Sequence, residues 1–123
     1  MNKLFIKGTS KTPEIDFAAG IIQISGRSIP EDVVSFYQPV IKWIENYIEN
    51  PEKFTKVSLS IEYINSGSNR FIFNILKLLE ECYQKGHNVS ISWYFEEDDD
   101  TIKNLGLDFK ALFSVPFNLI IIT

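Results

Sequence analysis

The sequence predicts one α/β domain, a mixed and mostly parallel sheet with helices packed mainly on one face, in the order β-β-α-β-α-β-α-β. Three observations carry that expectation. Helical periods alternate with short apolar runs, which calls for right-handed crossovers and parallel pairing. The first two strand signals have only a polar segment between them, so they are expected to pair antiparallel. At 123 residues, with 45% hydrophobic and 14% aromatic content, the chain fits one domain with its own core.

KLFIK at 3–7 reads as a short strand, and GTSKTPEID reads as loop because of Gly8, Pro13 and Asp16. In GIIQISG at 20–26, Ile22 and Ile24 alternate with Gln23 and Ser25 between glycines, the mark of a second strand. A helix over 28–50 takes its start signal from Ser28 or Pro30, with Glu31 and Asp32 at its positive end. Its stripe of Val33, Phe36, Tyr37, Val40, Ile41, Ile44, Tyr47 and Ile48 is broad enough to cover a sheet. Pro39 removes a backbone donor inside that stripe, so a kink or a fresh start is expected near Gln38.

VSLSIEYI at 57–64 alternates most regularly and is a strand. Residues 68–85 follow as a second helix with Phe71, Ile72, Ile75, Leu76, Leu79 and Tyr83 inward, ended at the KGHN turn where Gly86 can take positive φ. NVSISWYF at 88–95 is a strand. EEDDDTIKNLG leads into a short helix starting between Asp98 and Thr101 and stopping at Gly106, and PFNLIIIT closes the chain as an apolar strand.

Several function classes are disfavoured. A net charge of −4 and a pI near 5.0 suit neither a nucleic-acid backbone nor an anionic membrane, which attract basic surfaces. Cys82 is the only cysteine, so neither an intramolecular disulfide nor a cysteine cage for a metal can form within the chain. The N-terminal apolar stretch is too short for a signal peptide and no run of 18 apolar residues occurs, which leads us to expect a cytoplasmic protein without membrane insertion. No phosphate-binding GxxxxGK[ST] or GxGxxG loop is present, and no cofactor is expected.

His87, the only histidine, reads as an exposed turn residue, and nothing pairs it with Cys82 or a serine as a catalytic base. The run EEDDD at 96–100 lacks the alternation and central glycine of a calcium loop, so no metal site is expected and Asp98 to Asp100 are assigned to the helix N-terminus. At the spacings of Trp43, Trp93, Phe36, Tyr37 and Tyr94 most are core residues, with an interaction patch as the alternative.

EYINSGSNRF at 62–71 falls between a strand and a helix, so first-turn backbone N–H groups point toward it. Two readings of its serines stay open. Ser66 or Ser68 caps the helix, or one of them accepts a phosphate, which would add about −1.5 to −2 charges where the helix dipole tolerates them.

YINSGS followed by NR, an amphipathic helix and LLEECYQKGHNVSISWYF resembles the SiaC family of bacterial regulatory phosphoproteins, architectural relatives of the STAS-domain anti-sigma-factor antagonists. TPEIDF, GIIQISGRSIPED, FYQPVIKWIENYI, EDDDTIKNLGLDF and VPFNLII fall in the family's order, so the resemblance covers nearly the whole chain. It implies a STAS-like regulatory domain spanning 1–123 and no enzymatic activity of its own. It also implies phosphorylation by a dedicated serine/threonine kinase and reversal by a PP2C-type phosphatase. The position matching the modified hydroxyl is Ser66, with Ser68 as the alternative, and Ser66 stands where the best-known system carries threonine. In that system the unphosphorylated protein activates a diguanylate cyclase, raising cyclic di-GMP and favouring biofilm growth.

Residues and resemblance together imply a docking surface of Tyr63, Asn65, Ser66, Gly67, Ser68 and Arg70. The residues alone leave two other readings open: a module that holds a small anion at the helix N-terminus, and a subunit that binds its partner constitutively.

Overall fold

The computed structural model describes residues 2–122. Met1 and Thr123, the first residue of the N-terminal segment and the last of the closing strand as read from the sequence, lie outside them. The elements are β1 (Leu4–Ile6), β2 (Glu14–Ala18), β3 (Ile21–Ser28), α1 (Val33–Tyr47), β4 (Phe54–Ile64), α2 (Ser66–Gln84), β5 (Asn88–Glu96), α3 (Asp100–Leu112) and β6 (Phe117–Ile122).

The strands lie in the sheet in chain order, β1-β2-β3-β4-β5-β6. The first two pairings are antiparallel and the remaining three parallel. Each parallel step advances one strand in the same direction through one helix, so right-handed crossovers put α1, α2 and α3 on one face. The predicted class and one-sided layering hold.

The segment read as loop holds one strand more than expected. Ile15 and Phe17 in β2 are fully buried while Asp16 between them is exposed, and β2 stands between β1 and β3, which do not pair directly. Pro13 precedes the strand and Asp16 projects to solvent, so neither residue breaks it.

Helix α1 starts later than Ser28 or Pro30. Ser28 ends β3, fully buried with Oγ 2.6 Å from the Tyr37 hydroxyl, and the cap is Asp32, whose carboxylate accepts from Ser35 N at 3.1 Å. No fresh start occurs at Gln38: one helix runs through Pro39, which is on its exposed side. Gly106 does not stop α3, which continues to Leu112. A Cβ at Gly106 would lie 2.5 Å from Cδ1 and Nε1 of Trp93, so the glycine is there to let helix and ring approach. Gly86 has φ +96°, the left-handed turn expected after α2.

Across the sheet, Ile24, Leu59, Trp93 and Leu119 stand in register on the helix-covered side, while Gln23, Ser58, Ser92 and Asn118 form the neighbouring row on the open side. Alternation of core and solvent faces follows from the two-residue repeat of a strand. Tyr37 and Trp93 are fully buried and Trp43 nearly so, while Phe36 and Tyr94 are half-buried, so the core assignment for these aromatics holds. Both indole N–H groups are met: Trp93 Nε1 donates to Ile102 O at 3.0 Å and Trp43 Nε1 to Asn2 O at 2.8 Å.

Candidate functional site

The site lies where the parallel strands end and α2 and α3 begin, the edge at which open α/β sheets commonly bind. A register shift between Gly26 and Arg27 separates the last pairs of β3 and β4, and Gly26 accommodates it with φ +110°. Arg27 pairs with Tyr63 beyond the shift, its guanidinium carbon 5.5 Å from the centre of the Tyr63 ring, and Tyr63 is 53% exposed.

Asn65 makes the turn from strand to helix. Its N–H donates to Ser28 O at 3.1 Å, its side-chain oxygen accepts from Ser68 N at 2.8 Å, and its carbonyl accepts from Asn69 N at 2.9 Å. Extended backbone, φ −88° and ψ 169°, completes an N-cap. The cap is therefore Asn65 and neither serine, because asparagine places a carbonyl oxygen where the third helical N–H needs one. Helix α2 begins two residues earlier than the sequence suggests, and Gly67 is in its first turn rather than in a loop.

With the cap assigned, the serines are free of that duty and differ sharply. Ser66, the first helical residue, is exposed. Ser68 is fully buried, and its Oγ has no hydrogen-bond partner of good geometry although it lies near the Tyr37 hydroxyl. Burial pushes the Tyr37 phenol above its ordinary value, opposed by its hydrogen bond with Ser28. A Cβ at Gly67 would meet Val33 Cγ1 at 3.4 Å, so this turn packs closely on the start of α1. Arg70 is exposed one helical turn beyond Ser66 and makes no ion pair among the described residues.

A groove of about 420 Å³ runs between the first turn of α2 and one flank of α3. Ser66 and Asn69 line it from α2, Thr101, Asn104 and Asp108 from α3, with Leu105 beside them. A hollow of about 280 Å³ continues it past Glu62, Tyr63 and Asp99. Of the six expected docking residues, Asn65 and Ser66 line the groove and Tyr63 the hollow, whereas Gly67, Ser68 and Arg70 line neither. The α3 residues escaped the sequence reading because they are about 35 positions away. Their spacing at 101, 104, 105 and 108 marks one flank of a helix but does not say what that flank faces.

Asp99 caps α3, its carboxylate accepting from Ile102 N at 3.0 Å, and no cluster of three or more His, Cys, Asp or Glu suited to a metal occurs among the described residues. His87 is half-buried rather than exposed, and it lies beyond Gln84, the far end of α2, which is itself about 27 Å from Ser66 by helical rise. Burial raises the Cys82 thiol, with Lys85 opposing, which disfavours the thiolate. Among the described residues no helix is long and apolar enough to cross a membrane. The arrangement leaves the Ser66 hydroxyl exposed on the rim of an open groove.

Known proteins share this architecture. A family model described as "SiaC family regulatory phosphoprotein" matches residues 6–122. An uncharacterized protein of Pseudomonas aeruginosa strain UCBPP-PA14 is 33% identical over 119 residues, 95% of this chain and 94% of that one. The structure of SiaC of Pseudomonas aeruginosa superposes with a TM-score of 0.91 at 31% identity, over 99% of this chain and 100% of the other. A structure of the diguanylate cyclase SiaD in complex with its activator SiaC, from the same organism, matches with a TM-score of 0.90 at 31% identity, over 97% of this chain and 99% of the matched one.

Proposed function

This chain belongs to the SiaC family of regulatory phosphoproteins, and from that premise we propose that it is a non-enzymatic cytoplasmic switch, docking on an effector when Ser66 is unmodified and releasing it when Ser66 carries phosphate. A serine/threonine kinase writes the phosphate and a PP2C-type phosphatase removes it. The effector is a diguanylate cyclase, by analogy with the SiaD–SiaC complex of the relative. The observation that best supports the reading is the exposed Ser66 hydroxyl on the rim of the α2–α3 groove.

A phosphate at this position adds about −1.5 to −2 charges and three acceptors. The first-turn N–H groups and dipole of α2 favour it, and Arg70 one turn on is within reach of it, so the fold survives modification. Binding does not. Glu62, Asp99 and Asp108 already border the groove and hollow, and extra negative charge there repels an acidic partner surface and costs desolvation against an apolar one. A penalty of about 2.8 kcal/mol weakens binding about a hundredfold. Tyr63 and Asn65 border the same opening and contribute to the docking surface, with Arg70 as its cation.

Pull-downs with the diguanylate cyclase test this: Ser66→Ala retains the partner and Ser66→Asp loses it. Equal retention by both variants would make the chain a constitutive subunit. A rise in melting temperature with inorganic phosphate, alongside no cyclase binding by either variant, would make it an anion-binding module.

A further inference from the structure

The two edges of the sheet are finished differently. Strand β1 is three residues long and flanked by Lys3 and Lys7, both devices that discourage pairing. Strand β6 has six residues, pairs among the described residues only with β5, and carries neither charge nor proline. Its apolar side chains are uncovered on both faces: Ile120 and Ile122 are 36% and 37% exposed on the open side, and Ile121 is 55% exposed on the helix side. We propose that β6 pairs antiparallel with β6 of a second copy of this chain, joining two sheets across a two-fold axis at Ile120.

Charge selects a second copy as the occupant. Helix α3 packs over β5 and β6 and runs against them, so its acidic start, with Asp100 and the preceding Glu96 to Asp99, lies at the Ile122 end of the edge. Its last turn carries Lys110 at the Phe117 end. The flank of α3 that bears Thr101, Asn104 and Asp108 faces α2, so helical phase turns Lys103, Leu107 and Lys110 toward the free edge. Lys103 offsets only part of the five carboxylates at 96–100. A two-fold axis across β6 sets the acidic end of one copy against the Lys110 end of the other, in both directions at once. Leu107, 44% exposed, adds apolar surface on the same flank. The register that places Ile120 opposite itself also places Leu119 opposite Ile121, so each face of the seam is apolar at its centre.

Sedimentation of the full chain over a concentration series tests the pairing, with Ile120→Lys and Ile120→Cys as variants. The wild type should dimerise reversibly, and Ile120→Lys should raise the dimer dissociation constant at least tenfold with an unchanged circular dichroism spectrum. Under mild oxidation Ile120→Cys should form a disulfide-linked dimer, whereas Asn118→Cys, which falls opposite Ile122, should not; Cys82 is buried and contributes no link. A wild type that stays monomeric at every concentration overturns the proposal, as does a dimer indifferent to Ile120→Lys or a failure of Ile120→Cys to link. In the first case any strand added to this edge comes from another protein.

Discussion

Replacing Ser68 by alanine should stabilise this protein. Its hydroxyl is fully buried and has no hydrogen-bond partner of good geometry, which costs about 1–3 kcal/mol of desolvation. Alanine removes that penalty and gains roughly 0.5 kcal/mol of helix propensity. The vacated oxygen leaves a small void that takes back about 0.3 kcal/mol. The net expectation is a gain of about 1–3 kcal/mol, or roughly 4–12 °C in melting temperature for a chain of this size. Ser66→Ala, at an exposed position, should stay within about 0.5 kcal/mol of the parent. Urea and thermal unfolding of the three proteins measure both effects. A loss of about 1 kcal/mol in Ser68→Ala would refute the reasoning, since it would mean that Ser68 makes a good hydrogen bond to the Tyr37 hydroxyl.

Three further outcomes are expected. Gly106→Ala would push a methyl group to 2.5 Å from the buried Trp93 ring, so despite better helix propensity it should cost about 1–3 kcal/mol in denaturant unfolding and shift tryptophan fluorescence. Asn65→Ala removes the cap of α2 and should cost about 1 kcal/mol, while Asn65→Asp, which keeps the acceptor, should restore most of it in the same melts. Glu80, on the outside of α2, is pushed upward by partial burial, but hydrogen bonds from Gln84, Val115 and Ser114 win and hold its carboxyl below the ordinary range. A depressed folded-state value means that its contribution is complete above the unfolded-state titration and fades as pH falls through the lower folded-state value. The stability gap between wild type and Glu80→Gln should therefore narrow on acidification, as followed by urea unfolding across pH.

The helices and parallel strands were legible in the sequence because their apolar periods are long and regular, as in α1 and β4. The features that stayed hidden depend on what folds against them. Strand β2 is five residues long, and its Ile15–Phe17 alternation is too brief to outweigh the neighbouring Pro13 and Asp16. Gly106 reads as a stop signal until Trp93 is seen against it. Residue chemistry alone likewise does not rank Ser66 against Ser68, which carry the same hydroxyl and lie two residues apart; only the family resemblance puts Ser66 first. Their contrast in burial comes from the 100° step of the helix, which turns Ser68 toward Tyr37 and leaves Ser66 outside. The half of the groove supplied by α3 depends on tertiary contact alone.

In the proposed switch one exposed hydroxyl governs partner binding. That control is tested most directly by treating wild type, Ser66→Ala and Ser68→Ala with the cognate kinase and ATP, mapping the phosphate by fragment-ion mass spectrometry, and titrating each product into the diguanylate cyclase by calorimetry. A phospho-switch at Ser66 gives a single phosphate on Ser66 in the wild type and in Ser68→Ala, none in Ser66→Ala, and about a hundredfold weaker binding wherever the phosphate is present. Phosphate on another residue, or undiminished cyclase binding by chain phosphorylated at Ser66, would contradict it.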